Sequence, residues 1–379
     1  MKIGVLAESE ESEKRVALTP EGARTLREKG NAVLVEAGAG ARAEFGDAAY
    51  AEAGAEIGKS AKAVAADSQL ILRVLAPSNA DTLAQGSALV SFLFPTENPG
   101  KVAKLTEKKV SAFAMDLMPR ITRAQSMDAL SSMSTIAGYR GALLAAERLP
   151  KFFPMLMTAA GTIPPAKVLV IGVGVAGLQA TATCKRLGAS VEAFDIRPAA
   201  KEQAESVGAR FLAMPELMQQ EQDASGYARE VEADAQTRLL EFLASKIAKF
   251  DAVITTALVP GKPAPKLVTK AMLAKMAPGS VLIDLAAANG GNCEATVKDQ
   301  TVVVDGVTVV GSTGLLSDMA SDASRMYSRN LVAFVLLLAP GGELKLDLDD
   351  EIISETLVTH DGLVRHAATR ALLEKGGKS

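Results

Sequence analysis

Short apolar runs alternate along the chain with stretches whose apolar positions fall at helical spacing. Ile3 to Ala7, Ala32 to Glu36, Gln69 to Val74, Ala88 to Phe94 and Lys109 to Phe113 read as strands of a first unit. Lys167 to Ile171, Ser190 to Asp195, Phe250 to Thr255, Ser280 to Asp284, Thr301 to Val304 and Thr308 to Val310 read as strands of a second. Thr19-Pro20-Glu21-Gly22 is a helix start, with threonine as cap and proline in the first turn. Residues 126–149 and Asp318 to Leu338 carry further helical patterns. This alternation predicts an α/β chain with two Rossmann-like, doubly wound parallel-sheet domains separated by a cleft. The expected bounds are 1–130 with about 325–379 for one domain, and about 131–324 for the other.

Between two of the strands lies Gly172-Val173-Gly174-Val175-Ala176-Gly177, followed by a helix and then by Ser190-Val191-Glu192-Ala193-Phe194-Asp195. Each glycine has its own duty in a dinucleotide site. Gly172 permits the turn off the strand, Gly174 lets the backbone approach a pyrophosphate, and Gly177 lets helix and sheet pack closely. The helix N-terminus would aim free N–H groups and the positive end of its dipole at phosphates. Asp195 would accept bonds from the adenosine ribose and repel a 2′-phosphate, which favours NAD over NADP; Arg197 nearby is the residue type that could hold that phosphate. Such a glycine pattern also occurs in plain structural turns. The strand before it, the helix after it and the acid at the expected distance favour the dinucleotide reading.

Composition narrows the partners. The chain has 379 residues, 48% hydrophobic and 22% charged, with a formal net charge of −3, so no broad basic surface for nucleic acid is expected. The longest apolar run, near Leu331 to Ala339, is shorter than the ~20 residues a membrane-spanning helix needs. The start, Met1 to Glu8, reads as a first strand rather than a secretion signal, which implies the cytoplasm. Cys184 and Cys293 are too few for a disulfide framework or zinc cluster, and no metal is expected. His360 and His366 read as solvated residues of a polar C-terminal segment, and residues 1–359 hold no histidine. The polar stretch Met218 to Glu230, with Gly226 and Tyr227, reads as a mobile surface loop followed by helix, or as an exposed helical insertion on which Tyr227 packs.

Four segments go beyond a fold: Arg15 to Pro20, Met115 to Ser132, Thr158 to Pro165, and Gly290-Gly291-Asn292-Cys293. Together they resemble the signatures of the alanine dehydrogenase and pyridine nucleotide transhydrogenase superfamily, in the form of the soluble NAD(H)-binding domain I of proton-translocating transhydrogenases. The resemblance implies that Arg120, Gln125 and Asp128 form a loop beside the nicotinamide. Arg120 would brace the loop by pairing with Asp128, Gln125 would bond the ribose and a partner's ring system, and Ser131 would hold the carboxamide. It implies that Val175, Asp195, Ile196 and Arg197 line the adenosine half, that Gly226, Gln236 and Leu258 approach the cofactor, and that Tyr227 tips a lid. Read without the family, Arg120 and Asp128 are a surface ion pair of little energy.

The same resemblance implies a homodimer, with residues 155–167 exchanged between protomers. It further implies a beta subunit carrying NADP(H), a membrane-spanning second piece of the alpha subunit, and a peripheral place on the inner face of the cell membrane through those partners. Hydride transfer between two nicotinamides needs no general acid or base. Oxidising an amine does. Alanine dehydrogenases carry a histidine after the strand that here reads Ser91 to Thr96, a lysine near Arg73 to Pro77, and an aspartate within the segment that here reads Ala286 to Asn289; this chain lacks all three. Arg15 alone would grip a carboxylate or pack structurally. The alternatives are a stand-alone alanine dehydrogenase or a non-enzymatic NAD sensor. Asn289 departs from the glutamate common before Gly-Gly-Asn-Cys, which touches local loop contacts only.

Overall fold

The computed structural model describes residues 1–214, 233–259 and 261–376. Gly226, Tyr227 and the rest of the expected lid lie outside the described residues. The chain forms two compact units, Met1–Met133 with Leu316–Ser379, and Ser134–Leu315.

In the first unit the sheet runs Leu363–Val364, Leu357–His360, Ser111–Ala114, Ala88–Phe92, Leu70–Leu75, Lys2–Val5, Ala32–Glu36, Glu56–Gly58. Its first six strands in chain order are parallel and stand in the order 3-2-1-4-5-6 of a doubly wound fold, while the last two join antiparallel at one edge. In the second unit the order is Arg210–Phe211, Ser190–Phe194, Lys167–Ile171, Ala252–Thr255, Val281–Asp284, Val307–Val310, Thr301–Val304. Among the described strands of this sheet, Thr301–Val304 alone is antiparallel. The strand order therefore reverses beside Lys2–Val5 in one sheet and beside Lys167–Ile171 in the other, and the carboxyl ends of strands at such a point open a crevice.

The unbroken apolar run 168–171 of the strand Lys167–Ile171 follows from burial on both faces. Val168 and Val170 pack with Ala142 and Ala145 of the long helix Ala129–Arg148 and with Ala180 and Cys184 of the glycine-loop helix Val175–Arg186. Leu169 and Ile171 face the other way, onto Leu239 and Leu243 of the helix Ala233–Lys246. Each such leucine contributes about 1.5–3 kcal/mol of burial. In the first unit the helix Pro20–Glu28 starts as expected, with Thr19 capping the Gly22 N–H and proline in the first turn.

Two departures from the sequence pattern have local causes. The strand expected to reach Phe94 stops at Phe92, because Phe94 turns left-handed (φ 44°) and the Asp116 carboxylate accepts the N–H groups of Leu93 and Phe94 at 2.7 and 2.9 Å. The C-terminal strands Leu357–His360 and Leu363–Val364 are too short and too mixed to show a period in sequence. Pairing of Leu357–His360 with Ser111–Ala114 brings His360 to Ser111, whose Oγ lies 2.9 Å from Nδ1. His360 is thus a bonded residue rather than a solvated one.

Gly138 lies inside the long helix, where a Cβ would come 2.1 Å from the Ala176 carbonyl oxygen. Gly138→Ala therefore lowers unfolding free energy by about 1–3 kcal/mol. Gly100, in the first turn of the helix Pro99–Glu107, has open space around it, and Gly100→Ala raises stability by up to about 1 kcal/mol. Urea denaturation of the two variants checks both signs.

Candidate nucleotide site

The glycine turn leaves Ile171 at the switch point of the second unit. Gly172 has φ +93°, and a Cβ there would come within 2.6 Å of Thr256 Oγ1. A Cβ on Gly177 would come within 1.9 Å of the Gly172 carbonyl oxygen, so helix and turn touch backbone to backbone. At Gly174, by contrast, the space around a Cβ is open, and this residue begins the helix Val175–Arg186 with no side-chain cap. The first-turn N–H groups are thereby left to an anion. Val175, beside them, is 41% exposed, and Ala176 is half-buried.

Asp195 follows the next strand and is buried. Its Oδ2 accepts the Val173 N–H at 2.7 Å and Arg197 Nη2 at 2.8 Å; its Oδ1 accepts Arg197 N–H at 2.9 Å and Nε at 3.0 Å. All four acceptor positions of the carboxylate are thus in use. A ribose hydroxyl reaches Asp195 only by displacing part of the guanidinium. Ile196, between them, packs on the core beneath.

The loop after Ala252–Thr255 closes the other side of the turn. Thr256 Oγ1 donates to the Gly172 carbonyl at 3.0 Å, and Leu258 beyond it is 41% exposed. Gln236, on the helix Ala233–Lys246, donates through Nε2 to the Lys266 carbonyl at 3.1 Å. Asn289 meets this loop through its backbone, its carbonyl accepting the Ala264 N–H at 2.8 Å. That contact does not depend on which side chain residue 289 carries.

The segment Arg120 to Ser131 belongs to the first unit. Its 3₁₀ turn, Thr122–Met127, buries Ala124 and Met127 and leaves Gln125 exposed. Asn330 Nδ2 donates to the Ser126 carbonyl at 2.8 Å, and Arg123 pairs with Asp350 at 2.6 Å. Sequence reasoning missed both anchors; the amide at the head of the apolar run Leu331 to Ala339 was the available signal for Asn330. Asp128 caps the helix Ala129–Arg148, accepting the Ser131 N–H at 2.9 Å and Ser131 Oγ at 2.6 Å. Helix capping through Ser131 holds the Asp128 carboxylate in place.

The switch point of the first unit is filled by the chain's own charges. Glu8, in the loop after the strand Lys2–Val5, accepts Arg73 Nη2 at 3.1 Å and the Val74 N–H at 2.7 Å; burial pushes its carboxyl above the usual range against the pull of Arg73. Arg15 holds Glu13 with Nε at 2.8 Å and Nη2 at 2.5 Å, both side chains buried. Tyr327 stacks on Phe92 at 4.9 Å and donates to the Arg73 carbonyl at 3.0 Å. Arg15 therefore packs structurally and grips a carboxylate of this chain. Both cysteines are buried, which pushes the Cys184 thiol up to about 12 and Cys293 upward as well. Among the described residues no cluster of histidine, cysteine or carboxylate groups could hold a metal ion.

Residues 4–137 match the family model of the alanine dehydrogenase/PNT N-terminal domain, and residues 141–367 that of the C-terminal domain. The chain is 45% identical over 381 residues to the first piece of the NAD(P) transhydrogenase alpha subunit of Rhodospirillum rubrum, covering 97% of this chain and 98% of that one. It is 32% identical to alanine dehydrogenase of Halomonas elongata, covering 97% of this chain and 95% of that one. The solved transhydrogenase of Sinorhizobium meliloti superposes with a TM-score of 0.88 at 42% identity, covering 96% of this chain and all of that one.

In the expected dinucleotide site, replacing Asp195 by asparagine would remove a negative charge facing a 2′-phosphate. The ratio of NADPH to NADH affinity is expected to rise by about ten-fold or more, read by calorimetry. An unchanged ratio removes Asp195 from cofactor choice. Asp116 supplies a pH test. Burial raises its carboxyl to about 6 from 3.8, so between those values the folded protein binds more protons than the unfolded chain, and stability falls as pH rises through that window. Comparing melts of wild type and Asp116→Asn across the window isolates this group, whose contribution is about 3 kcal/mol at most.

Proposed function

The chain belongs to the alanine dehydrogenase/PNT family, and we propose that it is the NAD(H)-binding alpha component of a proton-translocating transhydrogenase. It binds NAD(H) and exchanges hydride with NADP(H) held on a beta subunit, while a membrane-spanning second piece of the alpha subunit takes part in conducting protons. The name of the Rhodospirillum rubrum relative, which makes it one piece of a divided alpha subunit, supports a multi-subunit enzyme. Among the described residues no helix is long and apolar enough to cross a membrane, so in this reading the chain reaches the inner face of the cell membrane by docking on those partners.

The observation that carries the choice between the family's two chemistries is the buried Glu13–Arg15 pair. An arginine free to bind an amino-acid carboxylate would need to give up an internal ligand, and leaving Glu13 buried without its partner costs several kcal/mol. With both histidines confined to the C-terminal segment, the usual base for amine oxidation is missing as well. Transfer from one nicotinamide to another needs only close, aligned rings. In this reading Arg120, Gln125, Asp128 and Ser131 surround the nicotinamide, and Gly172 to Gly177 take the pyrophosphate. Asp195, Ile196 and Arg197 take the adenosine, and Gln236 and Leu258 border it, with Gly226 and Tyr227 completing the site.

The chain works as a homodimer. The hairpin of Leu156–Thr158 and Gly161–Ile163 supports this, since it displays Met155 and Met157, the latter 80% exposed, without burying them in its own unit.

The test mixes this chain with a beta-subunit NADP(H) domain and follows reduction of an NAD analogue by NADPH. We expect transfer with wild type, and for Gln125→Asn a loss of about ten-fold or more in turnover with NADH affinity held within about two-fold. Equal turnover would remove Gln125 from the reaction. NADH produced from NAD and L-alanine by this chain alone would overturn the functional reading.

A further inference from the structure

The turn Gly290-Gly291-Asn292-Cys293 is bonded to the loop that borders the glycine turn. Asn292 is completely buried, and its amide behaves like one more peptide unit of the sheet. Its Oδ1 accepts the Ala257 N–H at 3.0 Å, and its Nδ2 donates to the Ala257 carbonyl at 2.9 Å and to the Pro265 carbonyl at 2.8 Å. One side chain thus ties both ends of the segment that leaves the switch point after Thr255. Its backbone carbonyl also accepts the N–H groups of Leu267 and Val268.

Lys266 answers from the other side. Its Nζ donates to the carbonyls of Gly290 at 2.6 Å, Gly291 at 2.8 Å and Cys293 at 3.3 Å, so all three ammonium donors have acceptors in the same turn. The turn is itself held by Asp284, whose Oδ2 accepts the Cys293 N–H at 3.0 Å and Thr296 Oγ1 at 2.5 Å. The relay ends at the nucleotide loop. Ala257 N lies 3.1 Å from where a Cβ of Gly172 would be, and Thr256 bonds the Gly172 carbonyl.

We propose that Asn292 and Lys266 are positioning residues for the dinucleotide, clamping the Ala257 to Pro265 segment so that Gly172, Leu258 and Gln236 keep their places. The inference rests on the reading of the glycine loop as the NAD(H) site. Without the clamp the segment would sample other positions, and apparent affinity would fall in proportion to the fraction of molecules with it in place. Asn292→Asp is the sharp variant, since a carboxylate offers no donor to Ala257 and Pro265 and repels both carbonyls.

The experiment titrates NADH into the full chain by calorimetry and records melting temperature alongside. Its variants are Asn292→Asp, Lys266→Met, Val309→Ala and Gly174→Val. Lys266 is surface-exposed, so its variant carries the test should Asn292→Asp not fold. Val309 is buried in the core of the same unit and serves as a stability control. We expect the two clamp variants to bind NADH about ten-fold more weakly, equivalent to about 1.4 kcal/mol. Val309→Ala should lose melting temperature but keep its affinity. Wild-type affinity in the clamp variants, with binding lost in Gly174→Val, would overturn the clamp and leave the site standing. Equal weakening by Val309→Ala at matched melting temperature would reduce the clamp to ordinary stability and also overturn it. Wild-type binding by Gly174→Val would instead remove the site reading itself.

Discussion

The second unit is organised around a place where backbone meets backbone. The Gly172 carbonyl oxygen sits where a β-carbon on residue 177 would have to go, and Thr256 and Ala257 occupy the space beside Gly172. Strand, helix and the loop from the neighbouring strand therefore converge on one point with almost no side chain between them. This closeness aims the uncapped N-terminus of Val175–Arg186 out of the sheet's carboxyl end. It also brings the Val173 N–H within 2.7 Å of Asp195, so that the turn and the acid of the next strand are one hydrogen-bonded object.

The two units share the doubly wound plan and treat their switch points in opposite ways. In the second, small residues leave the carboxyl end open to a ligand. In the first, Glu8 and Glu13 supply carboxylates to Arg73 and Arg15, and Tyr327 and Phe92 stack beside them. Removing charges from water is costly unless each meets a well-placed opposite. The Glu13–Arg15 pair satisfies that condition internally, which leaves little reason for a small acid to enter.

The candidate site was legible unevenly, and the reason is range. The duties of Gly172, Gly174 and Gly177 are local, since each depends on neighbours within one turn or on the adjacent strand, and the spacing announced them. Asp195 was legible as an acid at a strand end, but its saturation by Arg197 was not, because whether two side chains two residues apart fold back on each other depends on what buries them. That Asp128 caps its own helix through Ser131 was not read from the sequence, although an acid just before a helical run is a local capping signal. The anchors of the Gln125 turn, Asn330 and Asp350, come from more than two hundred residues away, and no pattern near Gln125 could name them.

The amino-acid order by itself determined the α/β class, the glycine turn with its helix and acid, the absence of histidine before residue 360, and the family. All of these rest on residue type, spacing or local periodicity. Tertiary structure alone decided that Arg15 and Arg73 are closed by the chain's own carboxylates, that Asp116 holds the backbone at the left-handed Phe94, and that Asn292 grips a loop 35 residues before it. Those outcomes depend on which buried donors and acceptors find each other once the sheets form, and a buried polar group is held to its partner by the cost of having none.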